Sequence, residues 1–132
     1  MGKALEPAPG KLLTEVELEL MGILWRIGQG TVRDVMAALP KQRDLAYTSV
    51  STMLRILEQK AFVRVVESSG RSHVYAPAIA KPHYESRNLR HLVGRLFEGS
   101  PASLVRRLVD TTPLSDDDLR DLRALLDERL KK

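Results

Sequence analysis

The sequence predicts a mainly α chain with one small β-hairpin, built in two parts. Three observations carry that expectation. Apolar residues recur at helical spacing over most of the chain. Two short β-prone runs, Phe62 to Val66 and Ser72 to Tyr75, are separated by Ser68-Ser-Gly70, which reads as a hairpin turn. Pro77 and Pro82 then flank a linker, and everything beyond it has helical patterning. With 132 residues, 43% of them apolar, the chain suits one domain, or one small domain plus an appendage, with enough apolar residues for a core.

The elements follow in order. Residues 1–11 hold two prolines and two glycines with no period, and are expected to form a loose tail. Thr14 caps the first helix with Glu17 three residues on, and Leu13 is placed to staple onto Leu18. Leu18, Met21, Leu24 and Trp25 give its apolar stripe, and Gly28 and Gly30 end it. Thr31 and Asp34 open a second helix with Val32, Val35, Met36 and Leu39 inward, and Pro40 stops it. A third helix runs from about Thr48 to Lys60. Val50, Met53, Leu54 and Leu57 share one side of it, while Thr48, Ser51, Thr52, Arg55 and Gln59 share the other.

Beyond the hairpin, His83 to Phe97 carries Leu89, Leu92, Val93 and Leu96 at i, i+3, i+4 and i+7. Ser100 caps a short helix with Pro101 at its first position, and Leu104, Val105, Leu108 and Val109 line it. Ser115 caps the last helix with Asp118 three on and a Leu114–Leu119 staple, and Asp116 and Asp117 suit its positive end. The expected division is a tail over 1–11, a first domain over 12–80 and a helical domain over 81–132.

Composition narrows the function classes. There is no cysteine, which removes disulfide scaffolds, thiolate metal sites and cysteine nucleophiles. No apolar run approaches the roughly 20 residues of a membrane span, and Met1 to Lys11 has no signal-type apolar core, so a soluble, cytoplasmic protein is expected. The net charge of +4 is compatible with an anionic partner. The chain lacks a nucleophile elbow, an HExxH pattern and a phosphate-cradling glycine loop, so no enzyme and no cofactor is expected. His73, His83 and His91 are the three histidines. His83 and His91 with Glu85 fall short of a four-ligand metal set, and ordinary surface histidines are expected there.

Three helices followed by a hairpin is the order of a winged helix-turn-helix, whose third helix enters the major groove while the hairpin lies along the backbone. That role needs short hydrogen-bonding side chains on one helix face and an arginine able to reach guanine. Thr48, Ser49, Ser51, Thr52 and Arg55 meet it, and Arg64, Arg71 and His73 on the hairpin suit phosphates. The same pattern also fits a solvated helix face in a module that binds proteins. A repressor of another regulon, controlled by a small ligand, is a further alternative.

The residues also resemble a family. Arg43-Asp-Leu-Ala-Tyr-Thr-Ser-Val-Ser-Thr-Met-Leu-Arg-Ile-Leu57 closely resembles the signature of the penicillinase-repressor family of BlaI/MecI type. Leu13-Thr-Glu-Val-Glu-Leu-Glu-Leu-Met-Gly-Ile-Leu-Trp25 is similar to its first helix, Gly30-Thr-Val-Arg-Asp-Val35 to its second, Arg71-Ser-His-Val-Tyr-Ala-Pro77 to its wing, and Leu96-Phe-Glu-Gly-Ser-Pro101 to its LFxGS segment. Ser49 and Ser51 depart from the commonest signature residues, and Ala61 stands where many members carry glycine.

The resemblance implies a dimeric repressor of β-lactamase or related genes, bound to a double-stranded inverted-repeat operator. It places Thr48, Ser49, Ser51, Thr52 and Arg55 on the DNA and adds Arg43 to the phosphate-facing set of Arg64, Arg71 and His73. It also implies release when a sensor protease cuts the arm, at a bond that aligns with Arg107–Leu108. The dimer has a separate physical basis. The 81–132 arm is near the size at which a helical unit cannot bury its own apolar faces. A second copy would cover Leu104, Leu108, Leu119, Leu122, Leu126 and Leu130, and folding back onto the first domain is the alternative.

Overall fold

The computed structural model of the chain describes residues 12–70 and 72–131. The expected tail over 1–11 lies outside the described residues. Six helices and one hairpin follow in the order α1 (Glu15–Ile27), α2 (Val32–Ala37), α3 (Tyr47–Gln59), β1 (Val63–Ser69), β2 (Ser72–Pro77), α4 (Lys81–Leu96), α5 (Pro101–Thr111) and α6 (Asp116–Leu130). The fold is mainly α with a winged helix-turn-helix order and a C-terminal helical arm. The chain divides into two units between Leu89 and Arg90, inside α4.

Local sequence sets the helix starts. Thr14, Thr31 and Ser115 each close a reciprocal capping box, with Glu17, Asp34 and Asp118 in turn. Ser100 caps α5 ahead of Pro101, whose missing N–H is no loss at a first helical position. Pro82 sits in the first turn of α4 rather than before it, for the same reason.

The first unit has one core, drawn from α1, α2, α3, the hairpin and the first turn of α4. Leu20, Met21, Leu24, Val35, Leu54, Leu57 and Phe62 are fully buried in it. Tyr84 of α4 joins it, its ring 5.9 Å from Trp25 and edge-on to Phe62 at 6.0 Å. The Leu13 N–H donates to the Tyr84 hydroxyl at 3.0 Å, and Trp25 Nε1 donates to the Ile79 carbonyl at 2.9 Å. These contacts satisfy the polar ends of two aromatic side chains that are otherwise packed in apolar surroundings.

The apolar stripe of α1 differs from the expected one. Leu18 is 39% exposed, whereas Leu20 and Ile23 are buried. The inward positions run Glu17, Leu20, Met21 and Leu24, again i, i+3, i+4 and i+7. A glutamate at the head of a core-facing stripe requires compensation, and Glu17 has it. Its carboxylate accepts from the Thr14 N–H at 2.9 Å and from Lys60 Nζ at 2.7 Å. Burial pushes the carboxyl up, but the Lys60 hydrogen bond and charge, with the Thr14 contacts, outweigh it and hold Glu17 below the usual 4.5.

The hairpin is antiparallel, with Val63 opposite Pro77 and Arg64 opposite Ala76, and the register slips between Val65 and Glu67. That bulge leaves Val66 without a partner and bends the wing. The α1–α2 loop adds a bridge to it: Gly30 donates to the Tyr75 carbonyl at 2.9 Å and accepts from its N–H at 2.8 Å. A Cβ on Gly30 would lie 2.9 Å from Asp34 Cβ, so the close approach excludes any larger residue without a shift.

The turn from α3 into β1 is a Schellman closure. Phe62 N–H donates to Leu57 O at 2.9 Å and Ala61 N–H to Glu58 O at 3.0 Å, with Phe62 and Leu57 both buried. The closure needs a left-handed residue, and Ala61 occupies it at φ 69°. An L-residue with a Cβ pays about 1–2 kcal/mol there. Ala61→Gly is therefore expected to stabilise the fold by about 0.5–1 kcal/mol after the added entropy of the unfolded chain is counted. Urea unfolding at fixed protein concentration checks it, and no gain would mean that the turn stores no strain.

Candidate nucleic-acid interface

The outward face of α3 is polar and open. Thr48, Thr52 and Arg55 are exposed with Ser51 half-buried between them, at i, i+4, i+7 and i+3, and Ser49 is exposed at the edge. Val50, Leu54 and Leu57 anchor the opposite side in the core. The N-cap residue is Ala46, which offers no side-chain acceptor, and the first turn carries no acid. The first amides of α3 therefore keep their positive end available to an anion. Among the described residues, no hydrogen bond or ion pair engages Arg55.

The hairpin residues separate by face. His73 and Tyr75 lie toward α3, their rings edge-on at 6.1 Å. Tyr75 is buried, which raises its phenol pKa, and the nearby Glu58 adds to the rise. Arg64, opposite Ala76, lies on the other face beside Gly28 and Gln29 at the end of α1. Arg43 is held by Glu19, its Nε 3.0 Å from both carboxylate oxygens. Arg71 lies outside the described residues. Of the expected site residues, the fold thus brings Ser51 and His73 into one cleft, keeps Thr48, Ser49, Thr52 and Arg55 on the adjoining helix face, and places Arg64 and Arg43 elsewhere.

The cleft contains two residues that the sequence reading missed. It is lined by Thr31, Val32 and Arg33 from the start of α2, Tyr47 and Ser51 from α3, and Ser72, His73 and Tyr75 from β2. The Arg33 guanidinium sits 5.1 Å from the centre of the Tyr47 ring, a cation–π distance. The signal for Arg33 was its place near the start of a helix that, in helix-turn-helix geometry, crosses the DNA backbone.

In the second unit, none of the α5 or α6 residues is buried. Leu108 is 46% exposed, Leu122 37% and Leu126 59%, with Leu119 and Leu130 also exposed and Leu104 half-buried. Leu92, Leu96 and Leu125 extend the exposed apolar set beyond the expected one, and Leu89, the last residue of the first unit, is exposed as well. The Arg107–Leu108 bond lies within α5, where the Thr111 hydroxyl donates to the Arg107 carbonyl at 2.6 Å. Among the described residues, no three His, Cys, Asp or Glu side chains are placed to hold a metal ion, and no helix is long and apolar enough to cross a membrane.

The penicillinase repressor family model matches residues 13–128. The chain is 25% identical over 116 residues to the penicillinase repressor of Bacillus licheniformis, covering 88% of this chain and 90% of that protein. It is 20% identical over 117 residues to the methicillin resistance regulatory protein MecI of Mammaliicoccus sciuri, covering 89% and 94%. It is 44% identical over 66 residues to the transcriptional regulator BlaI of Mycobacterium tuberculosis, about half of each chain. A match running from the start of α1 almost to the end of α6 takes in both the winged helix and the arm, and on that basis the chain belongs to the penicillinase repressor family.

Proposed function

We propose that this chain is a DNA-binding transcriptional repressor, cytoplasmic and not an enzyme, that binds an inverted-repeat operator as a homodimer and is released when its arm is cut. The observation that carries the reading is the face of α3. Thr48, Thr52 and Arg55 stand in the open at i, i+4 and i+7 with Ser51 half-buried at i+3, on a helix whose first amides have no side-chain cap. Short hydroxyls let a helix approach base edges, and an arginine among them matches guanine. One such helix per subunit, related by a two-fold axis, calls for an inverted repeat. The exposed leucines of α4 to α6 support the dimer, because a second copy of the arm is the cover the family resemblance implies. The regulated genes follow from the same resemblance: β-lactamase-type or related ones, with a sensor protease as partner.

The proposed cut at Arg107–Leu108 falls in a helix rather than a loop. Proteolysis there requires α5 to unwind, and its lack of buried residues makes that opening cheap in a single chain.

Footprinting on the chain's own promoter region tests the reading: protection of two half-sites about one helical turn apart is expected, and protection of one unrepeated site by a monomer would overturn it. Arg55→Ala is expected to cost about 1–3 kcal/mol on the operator and to relax discrimination at one base position, with little effect on random DNA. Competition titrations with operator variants measure this, and equal loss on operator and random DNA would remove Arg55 from base reading.

A further inference from the structure

The cleft between α2, α3 and the wing has a composition that the recognition face does not explain. Its walls carry a guanidinium, an imidazole, two phenols and several hydroxyls, and no carboxylate. Two acids lie nearby and neither lines the cleft: the Asp34 carboxylate accepts from the Thr31 N–H at 3.0 Å in the capping box, and Glu58 is close enough to Tyr75 to raise its phenol. Arg33 is exposed, and among the described residues it engages no carboxylate. An arginine held without an acid, beside donors from two other elements, is arranged for an oxyanion. Position narrows the anion. Ser51 belongs both to this cleft and to the polar series on α3, so the cleft borders the face proposed to enter the major groove. The walls of that groove are the phosphate strands.

We propose that Arg33, Ser51 and His73 seat one phosphate of the DNA backbone, and that Tyr47 positions Arg33 for it by stacking under the guanidinium. This rests on the DNA-binding reading above and adds residues that fix the register of α3 against the wing. The seat joins the start of α2, the middle of α3 and β2, so one phosphate ties three elements to one strand. Tyr47 reaches Arg33 through its ring face, so the ring is the required part. The contact carries no sequence information. It affects affinity for all DNA alike and shows in the salt dependence.

The test is salt-dependent titration of full-length chain against operator and random duplexes. Arg33→Ala is expected to weaken both by roughly tenfold at low salt and to reduce the slope of log affinity against log salt by about one. Tyr47→Leu should reproduce part of that loss, Tyr47→Phe should stay within about twofold of the parent, and Tyr47→Leu should add little on top of Arg33→Ala, because the two act as a unit. Arg33 is a surface residue, and unchanged thermal unfolding of each variant separates a lost contact from a lost fold. An unchanged slope for Arg33→Ala, a loss confined to the operator, or full additivity of the two substitutions would each overturn the seat. If the parent chain binds no DNA at low salt, the DNA-binding reading itself falls, whereas normal parent binding with an indifferent Arg33→Ala removes only the seat.

Discussion

Replacing Leu122 and Leu126 together with aspartate is expected to convert the chain to a monomer and to weaken operator binding by about 10²–10⁴-fold. The two leucines are four residues apart on α6, and both are exposed in the single chain. A fully buried leucine contributes about 1.5–3 kcal/mol, so several from each arm can offset the roughly 4–15 kcal/mol cost of bringing two chains together. An aspartate in their place loses that gain and would force an unpaired charge into the interface, which costs several kcal/mol more. Without the dimer, the second half-site is met by a free molecule rather than a tethered one, and its effective concentration collapses. The first unit has its own core, drawn from residues 20 to 84, so the α3 face is expected to persist. Sedimentation and operator titration measure the two halves of the claim. A variant that stays dimeric, or a monomer that binds as tightly as the parent, would sink it. A fragment of residues 1–107 extends the same test to the proposed cut, since it lacks all of α6.

The helix starts closed by capping boxes were legible because each of them is written within four residues. Thr14 with Glu17, Thr31 with Asp34 and Ser115 with Asp118 need no knowledge of the rest of the fold. The polar and apolar sides of α3 were legible for the same reason, as period 3.6 sorts them before any partner is known. What failed was everything set by distant pairing. Glu17 was read only as half of a cap, and a charged residue was not assigned inward, so the α1 stripe was started from Leu18. Lys60, 43 positions away, is what permits Glu17 inside. Arg64 and His73 looked equivalent as phosphate-facing hairpin residues, but the register that sets Arg64 opposite Ala76 puts them on opposite faces. Arg43 sits in the segment that most resembles the family signature, yet Glu19 of α1 takes its guanidinium. Arg33 and Tyr47 belong to different helices, and only the packing of α2 on α3 stacks them. Side chains that meet across elements were thus the invisible part, and they include the proposed phosphate seat.

The Glu17–Lys60 pair makes the strongest claim about stability. Lys60→Met is expected to destabilise the first unit by about 2–4 kcal/mol at neutral pH, most of it from a carboxylate left buried without its cation. The Glu17 side chain is 4% exposed and that of Lys60 28%, so the carboxylate, not the ammonium, suffers when the pair is broken. Methionine keeps most of the apolar length of the lysine stem, which limits the packing loss. The pH dependence follows from the direction of the shift. In the parent, Glu17 is held below its ordinary 4.5, so its contribution is present above that value and is lost as pH falls through the lower folded value. In Lys60→Met the hydrogen bond and charge of Lys60 no longer oppose the burial that raises the carboxyl, and the folded value moves upward. Protonation then relieves the variant as the pH drops toward 4.5, while the parent is only beginning to lose its advantage. The gap between them should therefore be widest at neutral pH and shrink toward pH 4. Glu17→Gln in the Lys60→Met background should recover part of the loss at neutral pH, since it removes the stranded charge and keeps the acceptor for the Thr14 N–H. Urea unfolding of Lys60→Met, Glu17→Gln, the double variant and the parent at fixed protein concentration, at pH 7 and pH 4, supplies the four-way comparison. A gap that does not change with pH, together with no recovery from Glu17→Gln, would mean that the lysine stem rather than its charge holds α1 against the end of α3.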